Sequence, residues 1–140
     1  MYKITMIPEV RAVLMTTALG VVLWTGSIRA HHAFAAEYDA KKPATMSGSV
    51  TKVEWTNPHV RFFLHVKDST GTVTEWEFTM GAVNGLLRRG WATTMLEPGD
   101  LVTVDGYLAR DGSRLANARV VTLSDGRKMS GGTIPDAPGP

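Results

Sequence analysis

The sequence predicts a mostly β fold, a small five-stranded OB-like barrel in the order β-β-β-α-β-β with one short helix. From residue 45 onward, short runs rich in β-branched and aromatic residues are separated by turn residues, as expected of strands. Between the third and fourth runs the apolar period becomes helical. The first strand alternates imperfectly, which is typical of the bent strand that a small closed barrel needs. A plain meander sandwich is the alternative, and the single helix disfavours it.

An apolar run near the N-terminus predicts a secretory signal helix over residues 1–30. Lys3 and Arg11 precede the run at residues 12–26, and the small residue Ala30 stands at the predicted cleavage point. The run is short for a membrane span, although an uncleaved N-terminal anchor is the alternative interpretation. We therefore expect a periplasmic protein that meets the membrane only before its signal peptide is removed. The sequence has no cysteine, so neither a disulfide nor lipoprotein processing is expected.

The charge balance argues against nucleic acid as a partner. The whole sequence has 15 basic and 13 acidic side chains, a formal net charge of +2. Removal of residues 1–30 takes away Lys3, Arg11 and Arg29 together with Glu9, which leaves twelve basic and twelve acidic side chains. A neutral exported domain lacks the basic surface that binds a phosphate backbone, so we expect no nucleic-acid partner.

After the signal segment the chain divides into an arm, a domain and a tail. Residues 31–44 have a mixed composition and predict an extended or loosely helical arm that ends at Pro43. Residues 45–128 contain all five predicted strands and form the OB-like domain. Residues 129–140 are rich in Gly and Pro without an apolar run, which predicts a disordered tail.

The first strand, predicted at Thr45–Trp55, contains an irregularity. Val50 falls out of step with Val53 in the alternation of apolar side chains, which predicts a bulge near Thr51 and Lys52. A bulge bends a strand strongly and lets it serve two edges of a sheet. This bent strand is the observation that most favours a barrel.

A rigid corner at Thr56–His59 leads into the second strand, His59–Lys67. Proline fixes its own φ and keeps the preceding Asn57 out of the helical region, so the chain turns or runs extended there. The second strand alternates cleanly, and its two faces are therefore predicted to be apolar and polar. The inward set is Val60, Phe62, Leu64 and Val66, and the outward set is His59, Arg61, Phe63, His65 and Lys67.

The remaining elements follow from the same patterns. They are a third strand at Thr72–Met80, a helix within Gly81–Gly90, a fourth strand at Leu101–Leu108 and a fifth strand at Ala116–Leu123. The helix carries Val83, Leu86 and Leu87 at the i, i+3, i+4 spacing of one apolar face. On the third strand Glu75 and Glu77 are predicted to face outward, where pairing with Arg61 or Lys67 would explain their charges.

Several motifs resemble one known family. They are HHAFAAEYD at residues 31–39, EWTNPH at 54–59, LRRGW at 87–91, EPGD at 97–100 and DGRK at 125–128. Together they resemble the domain-of-unknown-function 6152 family of small exported bacterial proteins, over about Ala30 to Lys128. The resemblance implies a signal peptide, a compact β-rich domain and no assigned activity. The chain departs from that family at Arg61, where an aromatic residue is usual.

Histidines near the predicted cleavage point indicate a metal site. If cleavage follows Ala30, the α-amine and imidazole of His31 can chelate one ion, and His32 adds a second imidazole. Amine and imidazole nitrogens in a tetragonal arrangement suit Cu(II), so copper is the expected metal. His59, at the corner, is the candidate to complete the ligand set. The alternatives are that His31 and His32 end a flexible arm and that His59 caps the Asn57–Pro58 turn.

A partner surface is the second candidate site. OB folds bind ligands on the outer face of strands two and three, which here would carry an arginine and aromatic residues suited to a protein or a glycan. The candidate residues are Trp55, Arg61, Phe63, His65 and Trp91. The alternative for Trp55 and Trp91 is burial in the core.

Catalysis has little support in the sequence, and we expect a binding protein rather than an enzyme. There is no cysteine, no serine in a nucleophile-elbow pattern and no H-E-x-x-H zinc signature. Glu75 and Glu77 would lie about 6.6 Å apart on one strand face, close to a glycosidase spacing. Alternate residues of every strand have this spacing, so it does not indicate an enzyme.

Overall fold

The computed structural model describes residues 34–133, and this part of the chain is mostly β, as predicted. It contains six strands in one sheet and two short helices. The strands are β1 (Tyr38–Glu54), β2 (Arg61–Lys67), β3 (Val73–Thr79), β4 (Leu101–Ala109), β5 (Leu115–Thr122) and β6 (Lys128–Ser130). The helices are α1 (residues 34–37) and α2 (Val83–Arg88). The predicted signal helix, His31 and His32 lie outside the described residues.

Most strands pair with the strand next to them in the sequence, and the two exceptions are the pairs β1–β4 and β3–β5. The strand order is β3-β2-β1-β4-β5-β6, and each of these neighbouring pairs is antiparallel. In addition β3 pairs with β5 in parallel, through Glu77–Thr79 and Leu115–Asn117. β1 pairs with β4 through its first part and with β2 through its last part. The predicted bulge in β1 is confirmed, because the register shifts between Val50 and Lys52.

The start of β1 was predicted wrongly. β1 begins at Tyr38, seven residues before the predicted Thr45, and Pro43 lies inside the strand rather than ending the arm. Proline lacks an N–H, and it is tolerated in sheets at irregularities. Pro43 lies opposite Tyr107 of β4, directly after a shift in register. Residues 39–42 are mostly polar and mostly exposed, so they carry no alternation that could have revealed the strand.

The residues just before β1 are anchored to β4. The guanidinium Nε of Arg110 donates a hydrogen bond of 2.6 Å to the carbonyl oxygen of Ala35 in α1. The ring centroid of Phe34 lies 5.3 Å from that of Tyr38 and 6.0 Å from that of Tyr107. Phe34 and Tyr38 therefore hold this segment by aromatic packing, and the side-chain hydrogen bond from Arg110 to the backbone of Ala35 supports it.

The core is formed by the inward faces of the strands together with α2. The predicted inward residues Val60, Phe62 and Leu64 are fully buried, while Val66 is half-buried. On α2, Leu86 is fully buried but Leu87 is 43% exposed, so the prediction that both face the core is wrong for Leu87. A helix of six residues presents only a narrow stripe to the sheet, and Leu87 falls outside it.

The N-terminus of α2 is capped from a distance. Its N-cap residue, Ala82, has no side chain that accepts a hydrogen bond. The side-chain oxygen of Asn57 accepts a hydrogen bond of 3.2 Å from the backbone N–H of Val83. The corner before β2 therefore contributes the cap that the helix itself lacks. The peptide bond between Asn57 and Pro58 is cis.

The first residues of the predicted tail, 129–133, are structured. Lys128–Ser130 forms β6 beside β5, and the indole Nε1 of Trp91 donates a hydrogen bond of 2.8 Å to the carbonyl oxygen of Ser130. The hydroxyl of Thr133 donates a hydrogen bond of 2.7 Å to the side-chain oxygen of Asn117, which is buried. The first part of the segment predicted as a tail is therefore structured. Residues 134–140 lie outside the described residues.

Candidate functional site

The candidate site is the outer face, which we define as eight of the outward side chains of β1, β2 and β3. These are Lys52, Glu54, Arg61, Phe63, His65, Lys67, Glu75 and Glu77. The bulge in β1 creates this face, because Val50 points inward before the bulge and Val53 points inward after it. Lys52 and Glu54 are thereby turned outward, beside Phe63 and Arg61 of β2.

Arg61 lies between two carboxylates from different strands. Its Nε is 3.4 Å from Oε2 of Glu54 on β1, and its Nη1 is 3.5 Å from Oε1 of Glu77 on β3. Glu54 also contacts Nζ of Lys52 at 2.6 Å. The hydrogen bond from Lys52, followed by the positive charges of Lys52 and Arg61, lowers the pKa of Glu54 below its ordinary value. The predicted pairing of Arg61 with Glu77 is confirmed.

Phe63 is the aromatic residue at the centre of this face. Its side chain is half-buried, and Nζ of Lys52 lies 5.4 Å from the ring centroid. This is the distance of a cation–π contact. The ammonium group of Lys52 therefore covers part of the ring, and Lys52 contacts Glu54 at the same time.

The other end of the face contains His65 and Glu75. Nε2 of His65 lies 3.7 Å from Oε2 of Glu75, and the two side chains are 54% and 56% exposed. The hydroxyl of Thr51 donates a hydrogen bond of 3.2 Å to the same carboxylate oxygen. Glu75 therefore interacts with His65, the residue opposite it in the register, rather than with the predicted Arg61 or Lys67.

The two candidate tryptophans lie in or near the core. Trp91 is only 3% exposed, so its assignment to a partner surface is wrong. Trp55 is half-buried, and its ring packs edge-on to that of Trp91 with centroids 6.1 Å apart. Within the described chain, Nε1 of Trp55 is buried without a hydrogen-bond partner. The two indoles stabilise each other, Trp91 within the core and Trp55 packed against it.

His59 is exposed at the corner before β2. Its ring Nδ1 donates a hydrogen bond of 3.2 Å to the carbonyl oxygen of Met80, rather than capping the Asn57–Pro58 turn. This contact orients the ring and leaves Nε2 as the nitrogen with the lone pair. Within residues 34–133, however, no three His, Asp or Glu side chains are grouped so that they could hold a metal ion. The described residues therefore supply one imidazole and not a ligand set.

The geometry defines a class of protein, a small mostly β domain whose candidate site is an exposed face of the sheet. Sequence comparison then gives the family. The chain belongs to a family of unknown function, DUF6152, whose model matches residues 20–118. A search of curated proteins finds no match. Within residues 34–133, neither helix has the length and apolar character needed to cross a membrane.

Proposed function

We propose that this protein is a non-catalytic binding protein of the periplasm that engages another protein through the outer face. The observation that carries the proposal is the composition of this face, three basic and three acidic side chains arranged around the half-buried Phe63. Arginine and aromatic side chains are enriched among the residues that dominate protein–protein binding energy. Arg61 and Phe63 are neighbours of this kind on β2 and are the proposed anchors.

We also propose that β1 to β5 form an OB-like barrel, the fold whose ligands bind on this face. Two observations support the proposal. The parallel pairing of β3 with β5 joins the two ends of the five-strand order. The 17-residue β1 serves both β2 and β4, as the bent first strand of such a barrel does.

A protein is a better partner for this face than a glycan. Sugar rings stack on open aromatic faces, but Lys52 covers part of the Phe63 ring and Trp91 is buried. Exposed charged pairs, in contrast, can exchange their partners for complementary charges on another protein at little cost in free energy. The lowered pKa of Glu54 also makes this carboxyl poorly suited to act as a general acid, which needs a raised pKa.

A photo-crosslinking amino acid placed at Phe63 tests the proposed function in intact cells. We expect a defined adduct with one protein from position 63 and none from Asp125, an exposed residue of the turn between β5 and β6 that serves as the control away from the outer face. With that partner purified, Arg61→Ala should weaken binding about tenfold, because it removes an anchor of the interface. Equal crosslinking from positions 63 and 125, or unchanged affinity of Arg61→Ala, would refute the assignment of this face.

Copper binding is a second candidate function, and the sequence alone supports it. His31 directly follows the predicted cleavage point and His32 is next to it, although both lie outside the described residues. An α-amine and an imidazole on one residue form a chelate that suits Cu(II). The proposal therefore requires a mature chain that begins at His31.

Competitive Cu(II) titration of protein recovered from the periplasm, with intact mass measured on the same sample, tests this candidate. We expect a mass that begins at His31 and tight binding that is lost in the His31→Ala/His32→Ala variant. One additional residue before His31 should also abolish tight binding, because it removes the amine from the chelate. A different N-terminus, or affinity that survives both changes, would rule out the site. The same titration with His59→Ala measures whether that ring contributes a nitrogen.

A further inference from the structure

One edge of β3 is paired over only part of its length. β2 pairs with β3 along its whole length, from Val73 to Thr79. On its other edge β3 pairs with β5 only through Glu77–Thr79. Within residues 34–133, the part of β3 before Glu77 therefore borders no strand on that side. Val73, at the start of this stretch, is 54% exposed.

The backbone N–H and C=O groups of Val73 and Glu75 point away from β2, toward the edge that has no neighbouring strand in the described part of the chain. The backbone N–H of Glu77 donates a hydrogen bond of 3.0 Å to the carbonyl oxygen of Arg114, on the side away from β2. In a strand, backbone groups two residues apart point the same way. The N–H and C=O groups of Glu75 and Val73 are therefore directed outward along the same edge. Such a row of backbone donors and acceptors is a template for an added strand.

The side chains at this edge indicate what the added strand would carry. The side chain of Val73 points to the same side of β3 as that of Glu75, and the carboxylate of Glu75 is more than half exposed. A strand paired with β3 would place a side chain about 5 Å from each of them. A lysine or arginine is the favourable neighbour for Glu75, and an apolar residue is the favourable neighbour for Val73.

We propose that the open edge of β3 at Val73–Glu75 binds an extended segment of a partner protein, with a basic residue opposite Glu75 and an apolar residue opposite Val73. A second copy of this chain is a poorer occupant. The outward residues of β3 are Val73, Glu75, Glu77 and Thr79, none of them basic, so β3 pairing with β3 would bring no base to Glu75. The proposal deepens the proposed function, since it names the conformation and the charge of the partner segment.

Short synthetic peptides test the charge requirement on the purified full-length protein. Two peptides of alternating Thr and Val are used, with one central Val replaced by Lys in the first and by Glu in the second. We expect amide chemical shift changes centred on residues 73–77 and about fivefold tighter binding of the Lys peptide. Glu75→Lys should reverse this preference. The matched control Glu97→Lys makes the same charge change at an exposed turn residue and should leave the preference unchanged.

A second pair of variants tests the backbone contact. Val73→Pro removes a main-chain donor that points away from β2, so it should leave the β2–β3 ladder intact while weakening both peptides about tenfold. Val73→Ala keeps the donor and separates this effect from the loss of the side chain. Equal binding by the two variants, or a preference that survives Glu75→Lys, would overturn the proposal.

The peptide titration and the crosslinking experiment test the edge of β3 and the outer face separately. The titration uses purified protein and measures the edge of β3 without any cellular partner. The crosslink at Phe63 reports a partner of the outer face whatever its conformation. A crosslinked partner without peptide binding would refute the edge and keep the face, and the reverse result would refute the face and keep the edge.

Discussion

Replacing Phe62 with alanine is expected to lower the free energy of unfolding by about 3–5 kcal/mol, a large part of the stability of a domain this small. The Phe62 ring is fully buried on β2 and stacks on that of Phe78 on β3, with centroids 5.2 Å apart. The substitution removes apolar burial and leaves a cavity between two strands that the backbone ladder holds in place. Urea unfolding followed by circular dichroism measures the loss.

The matched control for this prediction is the next residue in the chain. Phe63→Ala removes the same ring from the opposite side of β2, where it is half-buried under Lys52, and should cost about 1 kcal/mol. Equal losses for Phe62→Ala and Phe63→Ala would mean that the two faces of β2 are assigned wrongly. A small loss for Phe63→Ala shows that position 63 can be substituted in crosslinking experiments without unfolding the domain.

The second large effect is a loss of stability in alkali that depends on Tyr38. Burial, which outweighs a hydrogen bond to Thr79, raises the pKa of Tyr38 from 10.0 to about 12. The folded state therefore favours the neutral phenol, and this contribution is fully present below pH 10. It is lost as the pH rises from 10 through about 12, and two pKa units correspond to about 2–3 kcal/mol.

Urea midpoints measured from neutral pH to about pH 12 test this prediction. Tyr38→Phe should be less stable at neutral pH by about 1 kcal/mol, because it loses the hydrogen bond to Thr79. Relative to the wild type, however, this variant should lack the additional fall above pH 10. Tyr107→Phe removes a phenol from the same aromatic cluster and should keep that fall. A Tyr38→Phe curve parallel to the wild-type curve would refute the assignment.

The outer face shows how far the site itself was predictable. Alternation along β2 places Arg61, Phe63 and His65 on one polar face, and the structure confirms this arrangement. The contacts of these residues come from other strands, so β2 alone could not reveal them. Lys52 covers Phe63 and Glu75 contacts His65 because the bulge in β1 and the β2–β3 register bring them together.

The sequence by itself determined the features that depend on neighbouring residues: the mostly β class, the bulge near Thr51, the corner at Asn57 and the two faces of β2. Their signals are period-two alternation and the backbone restriction of proline, both of which act within a few residues. These signals required no knowledge of how distant segments meet.

Only the tertiary structure decided where the distant segments meet. Trp91 is buried because Trp55 and Ser130 contact it. β6 forms because it pairs with the edge of β5. β1 extends back past Pro43 because β4 lies beside a polar stretch that has no pattern of its own. Burial and strand pairing are properties of two segments together, and composition describes each segment alone.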